Sequence, residues 1–257
     1  FLEKLSADNQ QNDTNFIQHT STEISDTAIE MLEKEIGLFI YRVIHLNMEV
    51  FKIKDENTTE NKFNRDDKKE TPFLSSLTYL DKYNTIKKAE GEILAFYSKM
   101  AGEEMKKDNL IHLNQLMASL RNAMYSAKGM KDINHNRKEL SDSINEMKFD
   151  TYQLFRSKLR DFYSELNKII LLEDKSQCAK KLEKLLQEIK MQYDEILRDS
   201  YKNAGKNVLK EVDISTLFNV NRELYSSGKA IIFSLKDYML DKEDAEAFEN
   251  IPISILK

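Results

Sequence analysis

An eleven-residue string occurs twice in this chain. EILAFYSKMAG at residues 92–102 returns as EILRDSYKNAG at residues 195–205, with six of the eleven positions identical. The likeness continues downstream. Leu116, Arg121, Ser126 and Lys128 correspond to Leu217, Arg222, Ser227 and Lys229, with the shift between copies now 101 instead of 103. Leu113 with Ile214 and Met117 with Phe218 add apolar pairs between them. Two matches in the same order at nearly the same spacing predict a tandem repeat of a unit about 100 residues long. That constrains the fold strongly, because both halves must then form the same elements and bury the same faces.

Composition selects the element. Gly is 6 and Pro only 2 in 257 residues, and both prolines, Pro72 and Pro252, fall where the apolar pattern breaks. Leu, Lys, Glu, Met and Ala dominate, which favours helix. Charged residues make up 32% yet the net charge is only -5, so the surface mixes signs. A dedicated nucleic-acid binder would show a basic excess, and that class is set aside. Cys178 stands alone, which excludes an internal disulfide and fits a reducing compartment. No apolar run reaches the roughly 18 residues that span a bilayer; the best candidate, residues 36–44, is short and contains Arg42. No secretory signal is visible. The chain begins at Phe1 without Met, which leads us to expect an excised fragment with a membrane segment upstream.

Taken in order, residues 1–13 are a polar tail. Apolar residues at three- and four-residue steps from Ile17 to Met48 predict a long helix over about residues 14–54. DENTTENKFNRDDKKETP, residues 55–72, reads as a solvated, mobile loop. A second helix is expected over about 75–107, and a third from an N-cap at Asp108 or Asn109 to about Ser141. The Ala101-Gly102 pair, present in both copies, suggests close packing, since Gly weakens a helix interior. The second half repeats the order, with helices over about 145–172, 176–208 and 213–240. The tail 241–257 carries an acidic helical turn and then Pro252 in an apolar end. The expected fold is all-α: two tandem three-helix bundles, residues 14–141 and 145–240, with six long antiparallel helices.

Chemistry is sparse. His19, His45, His112 and His135 show no ligand spacing, and no Glu-x-x-His, His-Glu-x-x-His, Cys-x-x-Cys or phosphate-loop pattern occurs. Cys178 has no partner nucleophile or base in the sequence and reads as structural. The carboxylate pairs Glu104/Asp108, Glu195/Asp199 and Asp237/Asp241 each lie one turn apart and read as solvated faces. No catalytic, metal or cofactor residues are assigned, and the expectation is a non-enzymatic protein. The repeated polar set Arg121, Ser126 and Lys128 with Arg222, Ser227 and Lys229 stands out. Each trio lies within about a third of the helix circumference. Converging at a bundle junction, the two trios would hold an anion or an acidic partner; otherwise they edge the bundle with their stems over apolar neighbours.

The strings RNAMYSAKGMKDINHN, residues 121–136, and FNVNRELYSSGKAIIFSLKDYML, residues 218–240, resemble the PhoU-like domain. More narrowly, they are similar to the version that follows the membrane part of bacterial sodium/phosphate cotransporters. The resemblance covers about residues 14–240 and implies two symmetry-related three-helix bundles. It also implies a regulatory role in phosphate uptake at the cytoplasmic face of the inner membrane. The implied partner is the transporter region of the same polypeptide, with a further protein partner or self-association open. PhoU proteins often bind metal through a repeated Glu/Asp-x-x-x-Asp motif. Glu195 and Asp199 fit it, but the first copy has Glu92 and Phe96, so no metal residues are carried over. The alternative is a helical scaffold or adaptor that binds another protein.

Overall fold

The computed structural model of the protein describes residues 13–23, 25–54, 77–102, 105–204 and 211–249, and every regular element among them is an α-helix. These are α1 (Ser25–Val50), α2 (Tyr79–Met100), α3 (Lys107–Ser141), α4 (Glu146–Ile170), α5 (Lys175–Ala204), α6 (Glu211–Met239) and the short α7 (Lys242–Glu249). The expected loop at 55–72, the outer part of the N-terminal tail, Glu104, Gly205 and the end with Pro252 lie outside the described residues.

Helix starts follow side-chain chemistry. Thr78 accepts from the Asp81 backbone N–H at 3.2 Å, and Asn145 from that of Lys148 at 3.3 Å. Asp174 accepts from Ser176 and Gln177 at 2.9 and 3.2 Å. Each satisfies a donor that a helix N-terminus leaves open. α3 departs from expectation. It begins after Lys106 with no side-chain cap, and Asp108 falls within its first turn, where a negative charge still favours the helix dipole. Asn109 instead reaches Asp26 of α1 at 2.8 Å.

The largest correction concerns residues 14–23, expected as the start of α1 but not helical. At the start of this segment, the backbone donors of residues 13–16 are taken by two carboxylates. Glu35 of α1 accepts from the N–H groups of Asn15 and Phe16 at 2.8 and 2.6 Å. Glu92 of α2 accepts from those of Asp13 and Thr14, both at 3.1 Å, and from the Thr14 hydroxyl at 2.8 Å. Arg42 donates to the Asp13 carbonyl at 2.7 Å, and Lys88 pairs with the Asp13 carboxylate at 3.0 Å. Contacts with Glu35 and Arg42, well inside α1, require residues 13–16 to fold back alongside that helix, because a straight continuation would carry Asn15 roughly 30 Å from Glu35. Ile17 and Thr14 are buried.

Contacts fix the direction of each helix. Asp26 meets Asn109, Glu33 meets His112 and Asn47 meets Ser126, so α1 and α3 run parallel. Glu49 pairs with Lys82 at 2.7 Å, at opposite ends of α1 and α2. Ser119 meets Ser234 and Ser126 meets Ser227, so α3 and α6 are antiparallel. Tyr193 stacks on Tyr225, Tyr201 lies against Phe218 and Cys178 lies against Met239, so α5 and α6 are antiparallel too. α4 lies against the end of α1, where Tyr152 stacks on Phe51 with ring centres 5.9 Å apart. The six long helices therefore alternate in direction. α3 and α6 share the most extensive interface, and one apolar core runs through all six, with Phe248 of α7 closing against Phe233. Gly102 does not serve close packing. It is exposed just beyond the α2 C-cap, and among the described residues an added Cβ would meet only the Lys99 carbonyl at 3.5 Å.

Two outcomes test this account. Gly91 sits inside α2 with no described residue within 4 Å of a built Cβ, so Gly91→Ala should raise stability by about 0.5–1 kcal/mol in urea unfolding. Burial raises the pKa of Glu35 above its ordinary value, against the lowering effect of the Phe16 and Asn15 N–H groups and Arg42. The folded state therefore holds this proton more tightly than the unfolded chain does. Its contribution is present below the ordinary carboxylate range and fades as pH rises through the elevated value. Glu35→Gln should flatten that part of the pH–stability curve while keeping an acceptor for the segment. Glu35→Ala should cost about 1–3 kcal/mol at low pH by orphaning the two N–H groups, and less as pH rises through the elevated value.

Candidate functional site

The repeated polar set separates along the α3–α6 seam. Its serines are inside. Ser126 and Ser227 are buried with their hydroxyls 2.9 Å apart. The Ser227 hydroxyl also lies 3.0 Å from the Ser126 carbonyl, and Asn47 of α1 donates to the Ser126 hydroxyl at 2.8 Å. Only one direction uses every proton once. Asn47 donates to Ser126, Ser126 to Ser227, and Ser227 to the Ser126 carbonyl. A turn and more away, the Ser119 hydroxyl donates to the Ser234 carbonyl at 2.8 Å, with the Ser234 hydroxyl 3.2 Å from it.

These contacts have a sequence signal that motif searching missed. Ser119 and Ser126 are seven apart on α3, and Ser227 and Ser234 are seven apart on α6. A seven-residue step keeps side chains on one stripe, so antiparallel stripes meet serine to serine. Small neighbours let the helices approach: a Cβ added to Gly129 would touch the Ser227 Cβ at 3.5 Å.

The seam also holds charge. Lys236 is 2% exposed, contacts the Asp237 carboxylate at 2.9 Å and lies 5.2 Å from the Phe233 ring centre. Asn122 donates to Asp237 at 3.1 Å. Tyr238 donates to the Glu33 carbonyl at 3.3 Å, and burial pushes its hydroxyl well above the ordinary tyrosine range. These partners satisfy groups that would otherwise be costly to bury.

The cations of the set face outward. Arg121 and Lys128 are exposed and carry no ion pair among the described residues. Arg222 is exposed and pairs with the adjacent Glu223 at 3.1 Å. Lys229 is half-buried over the Phe233 ring, 5.4 Å from its centre. Because α3 and α6 are antiparallel, Arg121 and Arg222 lie about ten residues apart along the pair, roughly 15 Å of helical rise. The structure thus brings the serines together and keeps the arginines apart.

Other sequence candidates resolve simply. Cys178 is buried, with its sulfur 3.7 Å from the Ile169 carbonyl. His45 packs edge-on to Tyr41, while His112 and His135 lie beside Glu33 and Glu139 at 3.3 and 3.1 Å, and His19 is exposed. Glu195 and Asp199 are exposed, and Asp199 lies 3.6 Å from Lys202. Asp237 is buried, whereas Asp241 is exposed near Lys175 at 3.8 Å. Among the described residues, no three His, Cys, Asp or Glu side chains cluster closely enough to hold a metal ion. Comparison of the chain with protein families, characterised proteins and solved structures finds no match.

The serine relay makes a quantitative expectation. Ser126→Ala leaves the buried Asn47 amide without its acceptor and should cost about 1–3 kcal/mol in urea unfolding. Ser126→Ala with Ser227→Ala should cost less than the sum of the single changes by about 0.5 kcal/mol or more, because both belong to one network. Additive losses would show that the two hydroxyls act independently.

Proposed function

We propose that this chain is a non-enzymatic, PhoU-like regulatory domain that modulates sodium-dependent phosphate uptake through contacts made by exposed helix faces. The observation that carries the reading is the division of the repeated polar set. Buried serines hold α3 to α6, while Arg121 and Lys128 stand on the outer surface without ion pairs among the described residues. Tyr125, 60% exposed, lies between them at helical spacing, so α3 presents an Arg-Tyr-Lys ridge. Arg and Tyr are the residue types that dominate protein contact energies, and a ridge suits a partner surface better than an enclosed ligand.

The all-α bundle and the strings at 121–136 and 218–240 support the PhoU-like assignment, with two three-helix units as its architecture. In this reading the domain works at the cytoplasmic face of the inner membrane against a transporter region of the same polypeptide. No helix of the described residues is long and apolar enough to cross a membrane.

Labelled-phosphate uptake by the full-length polypeptide tests this directly. Removing residues 14–240, or changing Arg121 and Lys128 together to Ala, should alter uptake or its response to phosphate supply. The double variant should unfold within about 2 °C of the parent, since exposed changes usually move stability little. Unchanged uptake in both cases, with a protein partner lost from pull-downs of the Ala variant, would instead make the chain a helical adaptor. A large loss of thermal stability would make the ridge structural.

A further inference from the structure

We infer that the cleft between the end of α1 and the first turns of α4 is a binding site for a phosphate group. It lies apart from the α3 ridge, and the inference does not rest on the transporter reading.

The site begins with the way α1 ends. The Lys52 N–H bonds the Glu49 carbonyl and the Ile53 N–H bonds the Met48 carbonyl, both at 3.0 Å. This pair of bonds is a Schellman closure, which needs a left-handed residue at its turn and usually takes Gly. Here Lys52 fills it, with φ 52°, a conformation that costs an L-residue about 1 kcal/mol. The reversal carries Ile53 and Lys54 alongside α4. There a cleft of about 210 Å³ is lined by Ile53, Lys54, Gln153, Arg156, Ser157 and Arg160. The four α4 residues are spaced as one helix face, so they present together.

Among the described residues, its lining contains three cations and no carboxylate. Arg156 is held in place. Its Nε donates to the Phe51 carbonyl at 3.2 Å and its Nη2 to the Lys52 carbonyl at 3.3 Å. Those bonds complete the C-terminus of α1 and use two of five guanidinium N–H groups, leaving three to donate elsewhere. Arg160 donates to the Ser157 hydroxyl at 3.4 Å, which leaves the hydroxyl proton available. The acid beside Arg160 is Asp161, at 3.6 Å with both side chains well exposed, a geometry that binds weakly in water. Lys54 has no ion pair among the described residues.

Closing α1 requires Arg156 alone, so Lys54 and Arg160 are surplus to that structural role. A fixed guanidinium, a second guanidinium, an ammonium and a hydroxyl around a small concave space match the several oxygens and the double charge of a phosphate. A monocarboxylate would satisfy fewer of these donors.

The same chemistry is offered by free orthophosphate and by the phosphomonoester headgroup of phosphatidic acid, and the test separates them. The intact chain would be titrated calorimetrically with potassium phosphate at constant ionic strength. In parallel it would be sedimented with phosphatidylcholine vesicles, with and without phosphatidic acid. Lys54→Gln combined with Arg160→Gln is the test variant, because both side chains are exposed and Arg156 remains to close α1; circular dichroism confirms its fold. The expected result is binding to orthophosphate or to the anionic vesicles, weakened about tenfold or more in the variant. Saturation by orthophosphate identifies a soluble ligand, and sedimentation without it identifies the headgroup. Binding to neither, or binding undiminished in the variant, overturns the inference.

Discussion

The structure depends on how closely α3 and α6 approach. Each helix meets the other with serines seven residues apart, and the antiparallel arrangement sets Ser119 against Ser234 and Ser126 against Ser227. Small side chains bring the two backbones together, and their hydroxyls must then find partners because water is excluded. They do so on each other, on carbonyl groups across the seam and on Asn47. Those bonds favour one register of the two helices, since sliding either by a turn would strand buried hydroxyls.

Everything else is hung on that pair. α1 lies parallel to α3 and reaches the serine relay through Asn47, while α5 lies against α6 through its tyrosines. Apolar packing supplies most of the stabilisation, as it must in a bundle of helices whose propensities alone are weak. The polar groups decide which packing is adopted. Lys236, Asp237 and Asn122 show the same logic at the far end of the seam, where buried charge is tolerated only because each group has a partner.

The division between inside and outside also separates two kinds of role within a single repeated motif. Serine, short and able to donate and accept, belongs where helices touch. Arginine and lysine, long and strongly hydrated, extend past the contact to the surface. One sequence string therefore supplies both the seam and the exposed ridge. The same economy recurs at the end of α1, where Arg156 closes a helix while Lys54 and Arg160 beside it are left to face a cleft.

The helical class, the positions of six long helices and much of the core were legible from apolar spacing, because that pattern is local and each helix must bury its stripe. Ser126 and Ser227 were legible as a repeated pair, though not as a contact. The start of α1 was not legible. Periodicity cannot reveal that Glu35 and Glu92 will take the N–H groups of residues 13–16, since those carboxylates are distant in sequence. Gly102 looked like a packing residue because it recurs, yet it lies exposed beyond a helix end, where an added Cβ would make only ordinary contact with the described residues. The cleft at Arg156 was invisible for a related reason: α1 and α4 contribute to it from about a hundred residues apart. The sequence by itself determined which segments are helices and which faces they bury, for these follow from spacing within a segment. Tertiary structure alone decided which faces meet, which hydroxyls pair and which cations are left outside, for these depend on the register between segments.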